Sequence, residues 1–369
     1  AAAAVYRFYA EYPWRGWAFW AYNQFSWFAT LSEWGYRVVA NNRRTFGRLA
    51  RFFWGKSIVL PTYRISAWLY GRILGLTIMI AFISLWVQSA GLFGMEGIVP
   101  FSENLDQARL NSENGTMSIS RFLEKPTWLW FLPELGGLAA LFITGCLSAM
   151  LLILGVLPTI SLLVGWSCYL SLQVVAAPFL NFQWDLLLLE TMLLSLFYLP
   201  WKIRERYTGS TEPNGIGRWL LWLLLFKLIF ESGVVKFTYF GAGDTNTWLD
   251  LTALNYHYWS QPIPSWISWY FHWLPQWFHK LALLITYTVE LILPFFIFLP
   301  RRLKNIAAAG LIFLQIMIIT TGNYGFFNLL TVLLCLPLLD DQTIPVSIRK
   351  HFIPNDNGNY HIGLSRHLQ

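Results

Sequence analysis

The stretch FKLIFESGVVKF, residues 226–237, carries three ionisable side chains within an apolar run. Lys227 and Glu231 are four residues apart, so a helix would place them on one face, where they can pair directly. Lys236 lies about 140° further round the helix than Glu231 and requires another partner. Burial disfavours the ammonium form of a lysine, so such a residue can serve as a general base. The stretch therefore indicates either a structural charge network, with Lys236 reaching the interface, or a reaction chamber with Lys236 as its catalytic residue.

Three more acids occur in apolar runs, Asp185 and Glu190 in FQWDLLLLET and Glu290 in TVELILP. Each could supply the carboxylate that a lysine within a membrane needs. Asp185 and Glu190 are five residues apart and share a helical face poorly, so we expect one to turn inward and the other to lie at the interface. Acids in this setting relay protons or hydrogen-bond between helices, and the structural role is favoured. The predicted intramembrane charge network comprises Asp185, Glu190, Lys227, Glu231 and Glu290.

An aromatic segment, residues 240–279, contains His257, Trp266, Trp269 and His272. Its histidines show neither the HExxH nor the HxH spacing of metal ligands, so no metal site is predicted. Many Trp and Tyr residues are typical of a segment lying at the lipid headgroup boundary, and we expect it to pack on the helical bundle. Such a cap could shape an entrance for a lipid or an acyl chain. The sequence identifies no cofactor, and a bound lipid is the candidate.

The stretch TGNYGFFNLL, residues 321–330, predicts a tight turn between two spans. Gly322 and Gly325 permit unusual backbone angles, and Asn323 and Asn328 can bond free backbone groups. A second interpretation makes this stretch the polar lining of a cavity opposite Lys236.

The composition indicates an integral membrane protein, because 56% of the residues are hydrophobic and only 12% are charged. The net charge of +7 comes from basic residues between apolar spans, so membrane topology explains it and nucleic-acid binding is not predicted. The three cysteines lie in apolar runs without a CxxC motif, which disfavours thiol redox chemistry. The sequence contains no P-loop, nucleophile elbow or dinucleotide motif.

Apolar runs of membrane-spanning length predict an all-α, polytopic transmembrane bundle of about eight helices with an interfacial aromatic segment. Residues 14–31 form either a ninth span or an interfacial helix. We divide the chain into an aromatic and basic extension at 1–53, a transmembrane domain at 54–341 and a short polar tail at 342–369. The predicted spans are 66–90, 135–156, 159–177, 184–201, 218–239, 280–299, 306–321 and 326–339.

The charged connections predict the sidedness of these spans, since short basic loops remain on the cytoplasmic side. Three basic segments, at 43–56, 202–218 and 301–304, fall on one side of the eight-helix arrangement. The acidic connection that contains the glycosylation pattern NGT at Asn114 and the aromatic segment with His257 fall on the other.

Taken together, several motifs resemble the successive signatures of the lipase maturation factor family over residues 54–341. They are LFGMEGIVP, FLNFQWDLLLLET, SGVVKF, TWLDLTALNYHYWSQPIP, LPQWFHKL, VELILPFFIF and TGNYGFFNLLTVLLCLPLLDD. The resemblance implies a membrane-embedded factor that assists folding or assembly of a partner protein. The implied location is the endoplasmic reticulum membrane in a eukaryote and the inner membrane in a bacterium.

This family is distantly related to the vitamin K-dependent γ-glutamyl carboxylase group. GVVK resembles the segment that supplies that group's lysine base, and the resemblance implies such a role for Lys236. Family members continue into a soluble, largely β domain, whereas 28 residues follow Asp341 here. We therefore expect the client-handling part to be missing or supplied by another subunit.

Three functions remain open at this point: a maturation factor, an accessory structural subunit of a larger membrane complex, and a carboxylase-like intramembrane enzyme that uses Lys236. Membrane lipid and a protein partner or client are the expected contacts.

Overall fold

The computed structural model of the chain describes residues 2–10, 16–54, 61–113, 121–132, 135–207, 211–238, 240 and 245–352. These residues fold as α-helices joined by turns, and no β-strand occurs among them. The glycosylation pattern at Asn114 and most of the polar tail lie outside them. The chain divides into two compact units, residues 1–59 with 300–302, and residues 60–299 with 303–369.

The first unit consists of short helices in an N-terminal series. The sequence predicts a ninth span or an interfacial helix at residues 14–31. The described residues 16–31 contain one whole helix, Gly16–Gln24, and the start of the next, Ser26–Asn41, with a break at Phe25. The four helices are α1 (Ala2–Ala10), α2 (Gly16–Gln24), α3 (Ser26–Asn41) and α4 (Arg43–Trp54).

The second unit contains the long apolar helices. In chain order its elements are α5 (Arg64–Leu92), α6 (Phe101–Glu113), α7 (Arg121–Glu124), a 3₁₀ turn (Trp128–Trp130), α8 (Leu135–Leu154), α9 (Pro158–Val175), α10 (Gln183–Ser195), α11 (Gly215–Thr238), α12 (Ala253–Ser260), α13 (Trp266–His272), α14 (Gln276–Tyr287), a π-helical turn (Thr288–Ile292), α15 (Leu293–Phe296), α16 (Arg301–Thr321), α17 (Phe327–Cys335), a 3₁₀ turn (Leu336–Leu338) and α18 (Val346–Phe352).

Five stretches of helix in the described part of the chain are long and apolar enough to cross a membrane. They are Arg64–Leu92, Gly136–Leu154, Pro158–Val175, Gln276–Phe296 and Arg301–Thr321. The other three predicted spans correspond to α10, to α11 and to the shorter apolar helix Phe327–Leu338. α11 is 24 residues long and carries four charged side chains. The chain is thus a polytopic helical bundle and an integral membrane protein.

Local sequence explains several helix boundaries. Asn214 accepts a hydrogen bond from the Ile216 amide at 2.9 Å, and Ser265 accepts one from the Ser268 amide at 3.2 Å. Both are side-chain caps that satisfy free amides at a helix start. Pro158 occupies the first turn of α9, where a missing N–H costs nothing. These caps fix the starts of α11, which precedes the aromatic segment, and of α13, which lies within it.

Close packing of α5, α8 and α9 forms much of the core. A Cβ atom at Gly75 would lie 3.0 Å from the Ile153 amide nitrogen and 3.1 Å from the Ala149 carbonyl oxygen. Small residues allow such backbone approach between membrane helices.

The aromatic segment packs on α14 through one face only. Leu254 and Tyr258 of α12 are buried with Leu283, and His279 bonds Asn255 Oδ1 at 2.8 Å and the Phe271 carbonyl at 2.9 Å. The tryptophans on its outward face are exposed. Trp266, Trp269 and Trp273 are 77%, 62% and 68% exposed.

Candidate functional site

Lys236, in the last turn of α11, forms an ion pair with Glu290. Its Nζ lies 2.6 Å from Glu290 Oε2 and donates a second hydrogen bond to the Ser232 carbonyl at 2.8 Å. The two side chains are only 14% and 7% exposed. Of the three acids considered as counter-charges for a lysine, Glu290 contacts Lys236, Glu190 contacts Lys227, and Asp185 bonds Tyr169 instead. The pair of Lys236 and Glu290 keeps both charges away from lipid.

Glu290 lies in the π-helical turn that connects α14 with α15. Four residues later, Pro294 has no N–H to donate to the Glu290 carbonyl, and its ring would clash with that carbonyl in a regular helix. The Leu293 amide instead bonds the carbonyl of Thr288, five residues earlier. Turns of this kind occur often at functional sites.

Gly233 permits the close approach of α11 to this turn. A Cβ atom there would lie 2.6 Å from Leu291 Cδ2 and 3.1 Å from Glu290 Cβ. The short distance between Lys236 and Glu290 depends on this missing side chain.

Trp248 covers Lys236 from the aromatic segment, with its ring centre 5.1 Å from Nζ. Asn246 fixes the position of this ring, because its Nδ2 donates to the Lys236 carbonyl at 2.9 Å and its Oδ1 accepts from the Trp248 amide at 2.9 Å. Asn246 is buried, so it links the end of α11 to the loop that follows. A cation over an indole face gains electrostatic stabilisation.

A cavity of about 290 Å³ lies beside the ion pair, between α11, α12, α16, α17 and the π-helical turn. Gln315 and Asn328 are both buried and line it side by side, and Asn328 Nδ2 donates to Gln315 Oε1 at 2.7 Å. Asn328 Oδ1 has no hydrogen-bond partner within the described residues. The polar side chains in the lining include Ser232, Lys236, His257, Glu290, Gln315 and Asn328. Asn328 therefore lines the cavity that contains Lys236, as the second interpretation of the 321–330 stretch expected.

A neighbouring cavity of about 240 Å³ is mainly apolar. Tyr258, Phe271, Phe278, Phe313 and Met317 contribute to its lining. The two cavities share the side chains of Leu254, His257, Thr286, Leu314 and Ile318. A polar chamber beside an apolar one suits a molecule with a polar head and an apolar tail.

His257 lies between the two cavities, outside the long helices. Burial, together with the positive charge of Lys236, lowers the pKa of His257 below its usual 6.5. The neutral imidazole is therefore favoured at neutral pH, with one nitrogen able to donate and the other to accept.

The remaining charged residues differ from the expected network. Lys227 does not pair with Glu231 on its own helix, because Glu190 of α10 lies 3.5 Å from its Nζ. The side chains of Lys227 and Glu190 are 54% and 44% exposed, and Glu231 is also exposed. Lys227 and Glu231, placed in one charge network by their spacing, thus neither pair with each other nor face the interior. Asp185 is buried and accepts a hydrogen bond from the Tyr169 hydroxyl at 2.6 Å.

The four residues named in the aromatic segment, His257, Trp266, Trp269 and His272, do not lie at one site. His257 lines both cavities, whereas Trp266, Trp269 and His272 line neither. His272 Nδ1 is buried and has no partner among the described residues. Within these same residues, no group of three or more histidine, cysteine, aspartate or glutamate side chains could hold a metal ion.

Sequence reasoning missed Gln315, Ser232 and Trp248 as parts of this site. Gln315 was detectable, because it is a lone amide within the apolar run IAAAGLIFLQIMII of α16. Sequence reasoning also missed the buried ion pair of Arg72 and Glu205, in which Arg72 Nη1 lies 3.1 Å from Glu205 Oε2. Burial raises the pKa of Glu205, and the Arg72 charge opposes that rise.

Proteins similar to this chain carry the same family name. Residues 65–346 match the model of the lipase maturation factor transmembrane domain. Lipase maturation factor 2 of Xenopus tropicalis is 40% identical over 289 residues, which cover 76% of this chain and 39% of that protein. The human lipase maturation factor 2 is 41% identical over 281 residues, 72% of this chain and 38% of that protein.

Lipase maturation factor 1 of Mus musculus is 31% identical over 297 residues, 79% of this chain and 49% of that protein. The chain thus spans about two fifths of the length of the lipase maturation factor 2 relatives. No solved structure matches the chain significantly. The motifs, the family model and these relatives agree that the chain belongs to the lipase maturation factor family.

Proposed function

We propose that this chain is the membrane-embedded part of a maturation factor that assists folding or assembly of a partner protein. The observation that carries the proposal is the family match over residues 65–346. The names of the relatives point to a lipase as the client. In a eukaryote the endoplasmic reticulum membrane is the proposed location, and the factor acts there as a chaperone.

The position of the polar cavity supports this proposal. Lys236 is near the end of α11 that leads into the aromatic segment, on the side that the basic loops predict to be non-cytoplasmic. A site that faces the secretory side can be reached by a secreted client or by a lipid that a client requires.

Co-expression with a secreted lipase tests this function. The full chain is expressed in cells that lack their own lipase maturation factors, and lipase activity is measured per mass of secreted lipase. We expect a higher specific activity than in cells carrying an unrelated membrane protein of similar size. Equal membrane insertion of both proteins with unchanged lipase mass and activity would exclude the maturation role for this chain.

The Lys236 cavity favours a second candidate, an intramembrane enzyme with a bound lipid as cofactor. Glu290 Oε2 lies 2.6 Å from Lys236 Nζ, so this carboxylate is placed to take up the proton that Lys236 must lose before it can act as a base. Lys236→Arg keeps the positive charge but cannot act as a base at neutral pH. Lipase maturation that survives Lys236→Arg at the wild-type level would argue against this candidate and leave the first intact.

A third candidate, the accessory subunit of a membrane complex, is favoured by the exposed charges on α10 and α11. Native purification followed by mass spectrometry distinguishes it, because a stable set of membrane subunits would accompany the chain.

A further inference from the structure

The exposed charges of α11 lie in the middle part of the helix, which falls within the hydrocarbon where the predicted span 218–239 crosses the membrane. Lys227 is the thirteenth of 24 residues in α11. At 1.5 Å per residue it is about 1 Å from the middle of the helix, and Glu231 is about 7 Å from it. A bilayer core is about 30 Å thick, so both lie within it when α11 crosses the membrane.

A continuous ridge along α11 presents these charges outward. The ridge consists of every fourth residue of α11 from Trp219 to Val235, and each of these side chains is exposed in the isolated chain. Its apolar members Trp219, Leu223 and Val235 are 48%, 50% and 53% exposed. Lys227 and Glu231 occupy the two places between Leu223 and Val235. Glu190, beside Lys227, belongs to α10. The apolar members of the ridge are compatible with lipid, whereas the charged members are not.

The charge on this ridge is unbalanced. Lys227 and Glu190 form a pair and neutralise each other. No hydrogen bond or ion pair to the Glu231 carboxylate occurs within the residues that the structure describes. A surface that covers the ridge within the membrane must therefore supply one positive charge near Glu231.

We infer that the α10–α11 ridge binds a transmembrane helix of another membrane protein, and that this helix carries a lysine or arginine opposite Glu231. A second copy of this chain fits poorly, because its own ridge has the same net negative charge. A ridge of residues spaced four apart packs into the equivalent groove of a partner at a crossing angle of about −50°. The inference does not depend on the function of the Lys236 cavity and holds for a client or for a complex subunit.

Site-specific photocrosslinking in native membranes tests the interface. The photoreactive residue p-benzoylphenylalanine is placed at Leu223 or Val235, on the ridge, and at Ile83 of α5 as a control that is 49% exposed. We expect a discrete protein adduct from the two ridge positions and only lipid adducts from Ile83. The crosslinked peptide, sequenced by mass spectrometry, should be an apolar span with a lysine or arginine at its crossing point.

Charge variants then test the recognition itself. Glu231→Gln should lower the adduct yield about tenfold, while Glu96→Gln, in an exposed loop, should leave it unchanged. Exchanging the charges, with Glu231→Lys here and an acidic residue in the partner, should restore the yield. As a control, the melting temperature of each purified variant is measured, and a value equal to that of the wild type shows that the variant still folds.

Three outcomes would overturn the inference. They are adducts to lipid alone at Leu223 and Val235, adducts to a second copy or another segment of this chain, and a crosslinked span without a basic residue. The lipase assay is independent of this experiment, so the maturation role and the interface can fail separately.

Discussion

At the residue scale, the ion pair of Lys236 and Glu290 makes each residue dependent on the other. A charge left alone at a site with so little exposure is costly, whereas removing both charges is often tolerated. If the pair is structural, removing one charge should therefore destabilise the chain more than removing both.

We predict that Lys236→Met destabilises the chain by about 3–5 kcal/mol, because Glu290 then remains buried without its counter-charge. The double variant Lys236→Met/Glu290→Gln should recover most of this loss. Thermal unfolding in detergent, followed by tryptophan fluorescence, measures both. Lys350→Met, at an exposed position of α18, is the control and should change stability by less than about 0.5 kcal/mol. Equal melting temperatures for the single and double variants would contradict the prediction.

A second prediction at this scale concerns pH. The folded state lowers the pKa of His257 below its usual 6.5, so the unfolded chain binds more protons in the interval between the two values. The stabilisation is complete above about pH 6.5 and is lost as the pH falls through the folded-state pKa.

Melting curves between pH 7.5 and 5 should therefore show a smaller loss of stability for His257→Gln than for the wild type. His351→Gln, at an exposed position of α18, is the control and should follow the wild-type curve. Parallel curves for wild type and His257→Gln would show that His257 does not titrate in this way.

At the element scale, the sequence predicted α11 well and its charge pairing poorly. The helix covers Gly215–Thr238, against the predicted 218–239, because its hydropathy and the Asn214 cap are local signals. The partner of Lys227 could not be deduced from spacing along α11, since Glu190 of α10 competes with Glu231. Pairing of Glu290 with Lys236 depends on a π-helical turn that a regular helical wheel does not include.

At the element scale, we predict the effect of adding a side chain at Gly233, where α11 approaches the π-helical turn. Gly233→Ala should lower the melting temperature, because its Cβ would crowd Leu291 and Glu290, and such overpacking costs about 1–3 kcal/mol. This exceeds the gain of about 1 kcal/mol that alanine brings to a helix. Gly91→Ala, in α5 with no neighbouring atom within 4 Å, should show only that gain. A melting temperature for Gly233→Ala at or above that of Gly91→Ala would refute the close-approach argument.

At the scale of the whole molecule, the sequence predicted the fold class because apolar runs of membrane-spanning length are strong signals. It offered a cavity opposite Lys236 only as an alternative, because the lining comes from seven helical elements that are spread along the sequence: α10, α11, α12, α14, the π-helical turn, α16 and α17. Gln315 and Asn328 meet only when α16 and α17 pack, and neither residue forms a motif with its sequence neighbours. The exposed tryptophans of the aromatic segment fit its expected place at a membrane interface.

The sidedness of the bundle is the prediction for this scale. Positions 204 and 301 should share the cytoplasmic side, and position 266 in the aromatic segment should face the other side. A membrane-impermeant thiol reagent on sealed vesicles checks this with Arg204→Cys, Arg301→Cys and Trp266→Cys in a chain without its native cysteines. Labelling of positions 204 and 301 from opposite sides would contradict the eight-helix arrangement.

The π-helical turn at Thr288–Ile292 makes the site sensitive to the length of the chain as well as to its composition. A π-turn accommodates one residue more than an α-turn. Deleting a single apolar residue such as Ile292 would remove this extra residue and change the rotation of Glu290 relative to the residues that follow it. A hydropathy profile would hardly register the deletion, and the helix would still cross the membrane. A homologue can thus keep every charged residue of this site and lose the alignment of Glu290 with Lys236 through one missing codon.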